Sequence, residues 1–330
     1  MRRDQLLIGF LGLLFGGGLI ATLYELYNST CTPSVLSDPQ STCHWYFERY
    51  ESSPFEKKWL AHADEWGHSP CDQLQQMTKE TQKWVDAATA SLRGPLQSNT
   101  SSGVLSSFWY RSCDGSQKRR VLIEPIGGVN RHPHVCTDSS QYLLSKDWLV
   151  VDWNISAPKS FLFDIGASLW EEGRGGNSQK WLWDTYTLRG VNFSAVYAWE
   201  AETMDTAEVW KRIPAEVRPV YHWMNIPARI GRGNMDNPLE VIRAVAKPED
   251  FVVLKLDIDS PRMELPLVEQ LSSDPELLSL VDEFFFEHHV NMEPLASCCW
   301  ITTSMKETAA SSYQLFHKLR EKGVRAHSWV

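Results

Sequence analysis

Five carboxylates stand where apolar runs stop. Asp164 ends Phe161-Leu162-Phe163, and Glu200 ends Phe193–Trp199. Asp257 and Asp259 follow Phe251–Leu256, and Glu287 follows Phe284-Phe285-Phe286. His288 and His289 come directly after Glu287. A carboxylate can accept hydrogen bonds from both hydroxyls of a ribose, take a proton or ligate a hard cation; an imidazole can do the last two. One acid after one strand is trivial, but four successive runs that each stop at an acid form a pattern. Asp257-Ile258-Asp259 is also a D-x-D, a spacing that can hold a divalent cation against a sugar-nucleotide diphosphate. Ordinary readings stand beside these: Asp259 as a cap on the following helix, and the histidine pair as one core residue and one exposed.

Such groups act together only if a scaffold brings the strand ends side by side. From about Ser160 the pattern alternates between short apolar runs and helical stretches. Phe161–Gly166, Phe193–Trp199, Phe251–Leu256, Asp282–Val290 and Val324–Val330 read as strands. The continuous apolar runs among them suit a parallel sheet covered on both faces. Gln179–Leu188 reads as a helix, with Asn177 and Ser178 as caps and Gly190 as its stop. Leu265–Leu271, Pro275–Val281 and Thr308–Lys322 read as further helices. The succession predicts an α/β fold with a doubly wound, mostly parallel sheet. Ligands then bind at the carboxyl ends of the strands, where the strand order reverses. Gly166 would leave room for a cofactor to approach the backbone there.

The segments FLFDIGAS, VYAWEAE, DFVVLKLDIDSPRME and DEFFFEHHV resemble successive motifs of the class I S-adenosylmethionine-dependent methyltransferases, in particular the FkbM-like subgroup. The resemblance covers residues 158–330 and implies a Rossmann-like methyltransferase domain. It implies that Asp164, Gly166, Ala167 and Ser168 form the cofactor loop and that Glu200 binds the ribose hydroxyls. Asp257 would lie beside the methyl group. Asp257, His288 and His289 would help remove the proton of a hydroxyl acceptor. Some O-methyltransferases of this fold hold a divalent cation near the fourth and fifth strand ends, which implies Asp257, Asp259 and Glu287 as its ligands, with His288 in reach. The chain departs from the family twice. Leu169 and Trp170 stand where a second glycine is usual, a role Gly173–Gly176 would take over, and Ser260-Pro261 replaces the usual Glu-Gly. Two other readings compete: a Golgi-type metal-dependent glycosyltransferase using Asp257 and Asp259, and an inactive methyltransferase fold that only binds.

The compartment is read from the other end of the chain. Leu6–Tyr24 is an uncharged, mostly apolar run preceded by Arg2 and Arg3. As a helix it would span about 28 Å, enough for a bilayer core. The positive-inside rule leaves residues 1–5 in the cytosol and the rest on the lumenal side, as a type II anchor at 6–24; a cleaved signal peptide is the competitor. Its shortness favours the endoplasmic reticulum or Golgi. Residues 25–42 read as a stem, and 43–157 as an accessory region with helix-like stretches at Trp59–Trp66 and Leu74–Leu92 and a short strand at Val121–Ile126. Asn-x-Ser/Thr sequons at Asn28, Asn99, Asn154 and Asn192, and seven cysteines, agree with a lumenal body in which some cysteines pair. A net charge of −9, with Lys118–Arg120 the one basic cluster, excludes nucleic acid as an expected partner. A glycan or other secretory-pathway acceptor is expected instead. The 15 tryptophans serve either the core or sugar stacking, with Trp170, Trp181, Trp183, Trp199 and Trp223 falling near the candidate site.

Overall fold

The computed structural model describes residues 45–66, 104–122, 157–171, 178–292 and 306–329, with single positions at 72, 73, 83, 86, 155 and 295. The expected anchor, the stem, the Gly173–Gly176 loop and three of the four sequons lie outside these residues. No helix among the described residues is long and apolar enough to cross a membrane.

Two sheets organise the described chain. The smaller is antiparallel, in the order β1-β2-β3, from β1 (Trp45–Glu51), β2 (Ser106–Ser112) and β3 (Gln117–Leu122). Beside it stand two short helices, α1 (Pro54–Ala61) and α2 (Ala63–Trp66). β1 lies in a region read from sequence as helical. Its sequence WYFERYE does not alternate strictly, and Phe47 and Tyr50 pack on Phe108, so cross-strand pairing decides its form. β3 begins four residues before the expected strand at Val121, because Lys118 and Arg120 lay their cations over the Tyr110 ring and so belong to the sheet as much as its apolar residues do.

The larger sheet has six strands: β4 (Ser160–Ile165), β5 (Ala195–Trp199), β6 (Tyr221–Met224), β7 (Phe251–Leu256), β8 (Glu283–Phe286) and β9 (Arg325–Ser328). Its order is β6-β5-β4-β7-β8-β9, and every pair is parallel. Counted from β4 this is the Rossmann order, with its reversal between β4 and β7. The connecting helices are α3 (Ser178–Leu188), α4 (Thr206–Arg212), α5 (Pro238–Val245), α6 (Pro261–Ser273), α7 (Pro275–Leu280) and α8 (Ala309–Glu321). Local signals fix their starts. Asp205, Asn237, Asp274 and Thr308 each cap the helix that follows through a side-chain oxygen. Proline stands in the first turn of α5, α6 and α7, where its missing N–H has no intrahelical partner to lose.

Alternation sorts the central strands between two cores. Phe161, Phe163 and Ile165, Val252, Leu254 and Leu256, and Phe284 and Phe286 join one cluster with Leu239, Leu267, Leu271 and Phe316. Leu162, Val253 and Phe285 face the other, with Leu182, Tyr186, Val217 and Trp329. Each buried phenylalanine is worth about 1.5–3 kcal/mol of apolar transfer. Trp170 and Trp199 are fully buried, and Trp181, Trp183 and Trp223 pack partly buried against the second core. These five serve packing, so the sugar-stacking reading has no exposed platform among them. Asn192 is exposed, as its sequon requires. Cys113 is disulfide-bonded; the other six cysteines lie outside the described residues.

The small sheet docks on the large domain through buried charge. The Glu56 carboxylate accepts hydrogen bonds from Tyr50 and Ser106 and pairs with Arg320 and His317, both at 3.3 Å. Burial pushes this carboxyl up, but the His317 bond and the Arg320 charge outweigh it and hold the group at about 2. At the amino end of β8, Glu283 meets Arg325 at 2.9 Å, His327 at 2.8 Å and Arg120 of β3 at 3.3 Å. Residues 43–157, unassigned from sequence, thus contribute a sheet and a helix pair that lock onto α8 and β9.

Candidate functional site

The carboxyl ends of β5, β4, β7 and β8 gather four of the five acids, Glu200, Asp257, Asp259 and Glu287, at one edge of the sheet. Asp164 is the exception. It lies one residue inside the end of β4, fully buried, with Oδ1 3.2 Å from Lys255 Nζ and Oδ2 accepting from Ser178 Oγ at 3.2 Å. Burial raises its carboxyl despite the lysine. Its work is to tie the start of α3 to the centre of the sheet.

Lys255 was missed by sequence reasoning. Asp164, Lys255 and Asp257 share the face of the sheet turned to α3, and the buried ammonium meets three acceptors: Asp164, Asp257 Oδ2 at 3.1 Å and the Gly166 carbonyl at 2.9 Å. Of the three, the Gly166 contact has hydrogen-bond geometry, and the two aspartates meet the ammonium as ion pairs. Burial disfavours the charge, but the two aspartates hold the lysine protonated above its ordinary range. A lone lysine in the apolar strand FVVLKL was the available signal, because lysine is almost never fully buried unless paired.

The turn after β4 is fastened from both sides. Gly166 N and Ala167 N donate to the Trp199 carbonyl at 3.0 and 2.8 Å, and Asp257 N donates to the Ile165 carbonyl at 2.9 Å. Gln179 of α3, fully buried, donates to the Ala167 and Ser168 carbonyls. Gly166 has φ +89°, and a Cβ there would stand 1.6 Å from the Asp257 carbonyl oxygen. The glycine is demanded by the close approach of β7, which replaces the expected reason, room for a cofactor. Ser168 adopts a left-handed φ of 52° and turns its N–H to Glu200 Oε2 at 2.9 Å. Glu200 Oε1 accepts from Glu202 N at 2.7 Å. Each carboxylate oxygen thus holds one backbone donor, which leaves capacity on both for a diol.

The other half of the edge is a cage around His289. Its Nδ1 lies 3.3 Å from Glu264 Oε2, and its Nε2 lies 3.1 Å from Glu287 Oε2 and 3.6 Å from Asp259 Oδ1. Burial opposes the positive charge, yet the carboxylates of Asp259, Glu264 and Glu287 push the imidazole up to about 12. An imidazolium has no lone pair to take a proton, so His289 in this state is no general base. His288 is buried, stacked on Phe286, and 3.9 Å from Glu307 at its nearest acid. Burial, then the neighbouring His289, pushes it down to about 4, so it is neutral. The two histidines, read together as catalytic, therefore have different environments and only His289 joins the acids.

Asp259, Glu287 and His289 offer one oxygen, one oxygen and one nitrogen within 4.8 Å of one another, a set that fits a divalent cation. The expected set was Asp257, Asp259 and Glu287. The structure replaces Asp257 with His289, because Asp257 is committed to Lys255, which with a Glu287 hydrogen bond lowers its carboxyl against burial. Asp259 does not cap α6; Ser260 holds the N-cap position. Asp259 has a φ of 52° and a side chain 72% exposed, so it faces solvent at the mouth. Glu264, in the first turn of α6, was also missed. It links Ile258 N, at 2.9 Å, to His289, fixing the imidazole orientation as an outer-shell carboxylate does in metal sites.

Comparison with family models, curated proteins and solved structures returned no match for this chain.

Proposed function

We propose that residues 158–330 form an S-adenosylmethionine-dependent methyltransferase domain. It would be held at an endoplasmic reticulum or Golgi membrane by residues 6–24 and act on a hydroxyl of a glycan or other secretory-pathway acceptor. The observation that carries this reading is the junction of Glu200 with the Gly166–Ser168 turn. A carboxylate with spare acceptor capacity on both oxygens stands at the end of the strand beside β4, against a tight turn at the reversal of strand order. That is where a parallel sheet of this order receives a nucleoside. S-adenosylmethionine supplies an electrophilic methyl group when bound. The chain's part is to bind and orient. Glu200 takes the ribose hydroxyls, Ser168 N–H holds Glu200, and Lys255 keeps the turn and Asp257 in place. This is catalysis by proximity, which asks for rigidity, and the lysine-centred bonds provide it.

A divalent cation on Asp259, Glu287 and His289 fits the same reading, supplying polarisation of the acceptor oxygen. Glu264 would orient the imidazole, and binding would release the His289 proton. The D-x-D of the glycosyltransferase reading finds less support, since Asp257 is spent on Lys255.

Calorimetry of the full chain with S-adenosylhomocysteine, with and without manganese, tests the proposal. Saturable binding that Glu200→Gln weakens at least about tenfold, one lost charge-assisted hydrogen bond's worth, is the expected result. Binding of a nucleotide sugar with manganese instead would favour the glycosyltransferase. A folded chain that binds neither would be a methyltransferase-like fold without the activity.

A further inference from the structure

The loop between β6 and α5 has no place in the chemistry above, yet it stands at the same edge. Three of the five large apolar side chains exposed among the described residues fall in it: Ile226 at 38%, Ile230 at 42% and Met235 at 85%. Arg229 and Arg232 alternate with them and are exposed too. Two arginines against the single acid Asp236 make the loop cationic in a chain of net charge −9, with Arg232 74% exposed and 4.0 Å from Glu276 of α7.

The loop is built, not loose. Arg229 N donates to the Asp236 carbonyl at 3.0 Å, and Asn237 Nδ2 donates to the Gly231 carbonyl and to Gln270 of α6, both at 3.0 Å. At its root Asn225 Nδ2 donates to the carbonyls of Glu200 at 2.8 Å and Glu202 at 2.6 Å. The loop therefore rises from β6 beside the end of β5, which carries the candidate ribose acid. Around its tip a Cβ on Gly231 or Gly233 would meet nothing within 4 Å.

We infer that this loop seats on a phospholipid bilayer, Ile226, Ile230 and Met235 entering the interface while Arg229 and Arg232 meet lipid phosphates. Aliphatic tips interleaved with arginine are the composition of interfacial segments. Protein hot spots favour tryptophan and tyrosine anchors beside arginine in a packed patch, and residues 225–237 hold no aromatic residue. The apolar run Leu6–Tyr24 ends 21 residues before β1. Those residues, fully extended, reach about 70 Å at most, so a bilayer spanned by that run lies within the loop's range. Docking would set the Glu200 edge against the headgroups. On the methyltransferase reading, the acceptor is then one held at the bilayer surface, such as a lipid-linked glycan.

The test is photocrosslinking of the full chain reconstituted in nanodiscs of phosphatidylcholine and phosphatidylglycerol, with benzoylphenylalanine incorporated at position 235 or, as control, at position 188. Leu188 is 72% exposed and lies at the far end of α3. Lipid adducts at 235 but not at 188, lost on Arg229→Glu with Arg232→Glu, are expected. Adducts to protein at 235, or no adduct above that at 188, would overturn the inference. The readout needs no cofactor, so loss of S-adenosylhomocysteine binding and loss of lipid contact are separate failures.

Discussion

Strand β8 carries a buried acid at its amino end and is followed by a part-buried one at the other, and the two ends solve opposite problems. At the amino end Glu283 is surrounded by Arg325, Arg120 and His327. Burial pushes its carboxyl up, but these cations outweigh burial and lower it. Just past the carboxyl end, Glu287 shares one imidazolium with Asp259 and Glu264 and lies against Asp257. Burial pushes its carboxyl up to about 7, with Asp257 adding to the rise and His289 opposing it. One end answers its acids, Glu283 and the neighbouring Asp282, with Arg325 and Arg120, and holds the accessory sheet to the domain. The other has more acids than cations, an arrangement that stability alone does not reward. A surplus of carboxylates around one imidazolium is what a positive ligand would neutralise, whereas the amino-end cluster is balanced within the chain.

Substituting the amino-end acid should have the largest effect. Glu283→Ala strands buried Arg325 and His327 without their carboxylate. It should lower unfolding free energy by about 3–5 kcal/mol, the usual result of breaking a buried ion pair from one side. Denaturant unfolding measures this, and a loss below about 1 kcal/mol would break the claim that this end is structural.

Glu56 sharpens the same side by pH. Its folded value near 2 lies below the unfolded value of about 4.3. Its contribution is therefore fully present above about pH 4.3 and is lost as pH falls through 4.3 towards 2, for a total of about 3 kcal/mol. The wild type should show this fall in thermal unfolding between those pH values. Glu56→Gln should be less stable at pH 6 and show a shallower fall, and parallel curves would refute the assignment.

Glu287→Gln is the contrasting test. At neutral pH it should leave stability unchanged or raise it by up to about 1 kcal/mol, since it removes one of several crowded carboxylates. It should also abolish manganese binding, read by paramagnetic resonance of the free ion. Destabilisation on the scale of Glu283→Ala would mean that the two ends of β8 do the same work.

Much of the large domain is legible because its signals are local. Phe251–Leu256 is the strand that its apolar run announces, and the helix expected over Thr308–Lys322 runs from Ala309 to Glu321, with Thr308 as its cap. β6 escapes because, of its four residues Tyr-His-Trp-Met, Tyr221 alone is buried and the four form no continuous apolar run. α4 and α5 are not read from the sequence either. β1 escapes because its pattern is settled by partners some 60 residues away, as in the pairing of Tyr50 with Phe108. Of the candidate site, the acids at the strand ends are legible, and Lys255 and Glu264 became visible only with their partners.

The sequence by itself determined which strands are buried on both faces, where several of the helices lie and that acids follow the strands, because hydrophobic period, caps and breakers act within a few residues. Tertiary structure alone decided how those acids divide. Lys255 reaches back across β4 to take Asp164 and Asp257 out of the site. The positive φ of Asp259 and the first turn of α6 gather Asp259 and Glu264 about His289. Which carboxylate meets a cation and which meets another carboxylate depends on ångström distances between residues up to some 90 positions apart. Sheet register and crossover connections set those distances, and no local pattern in the chain encodes them.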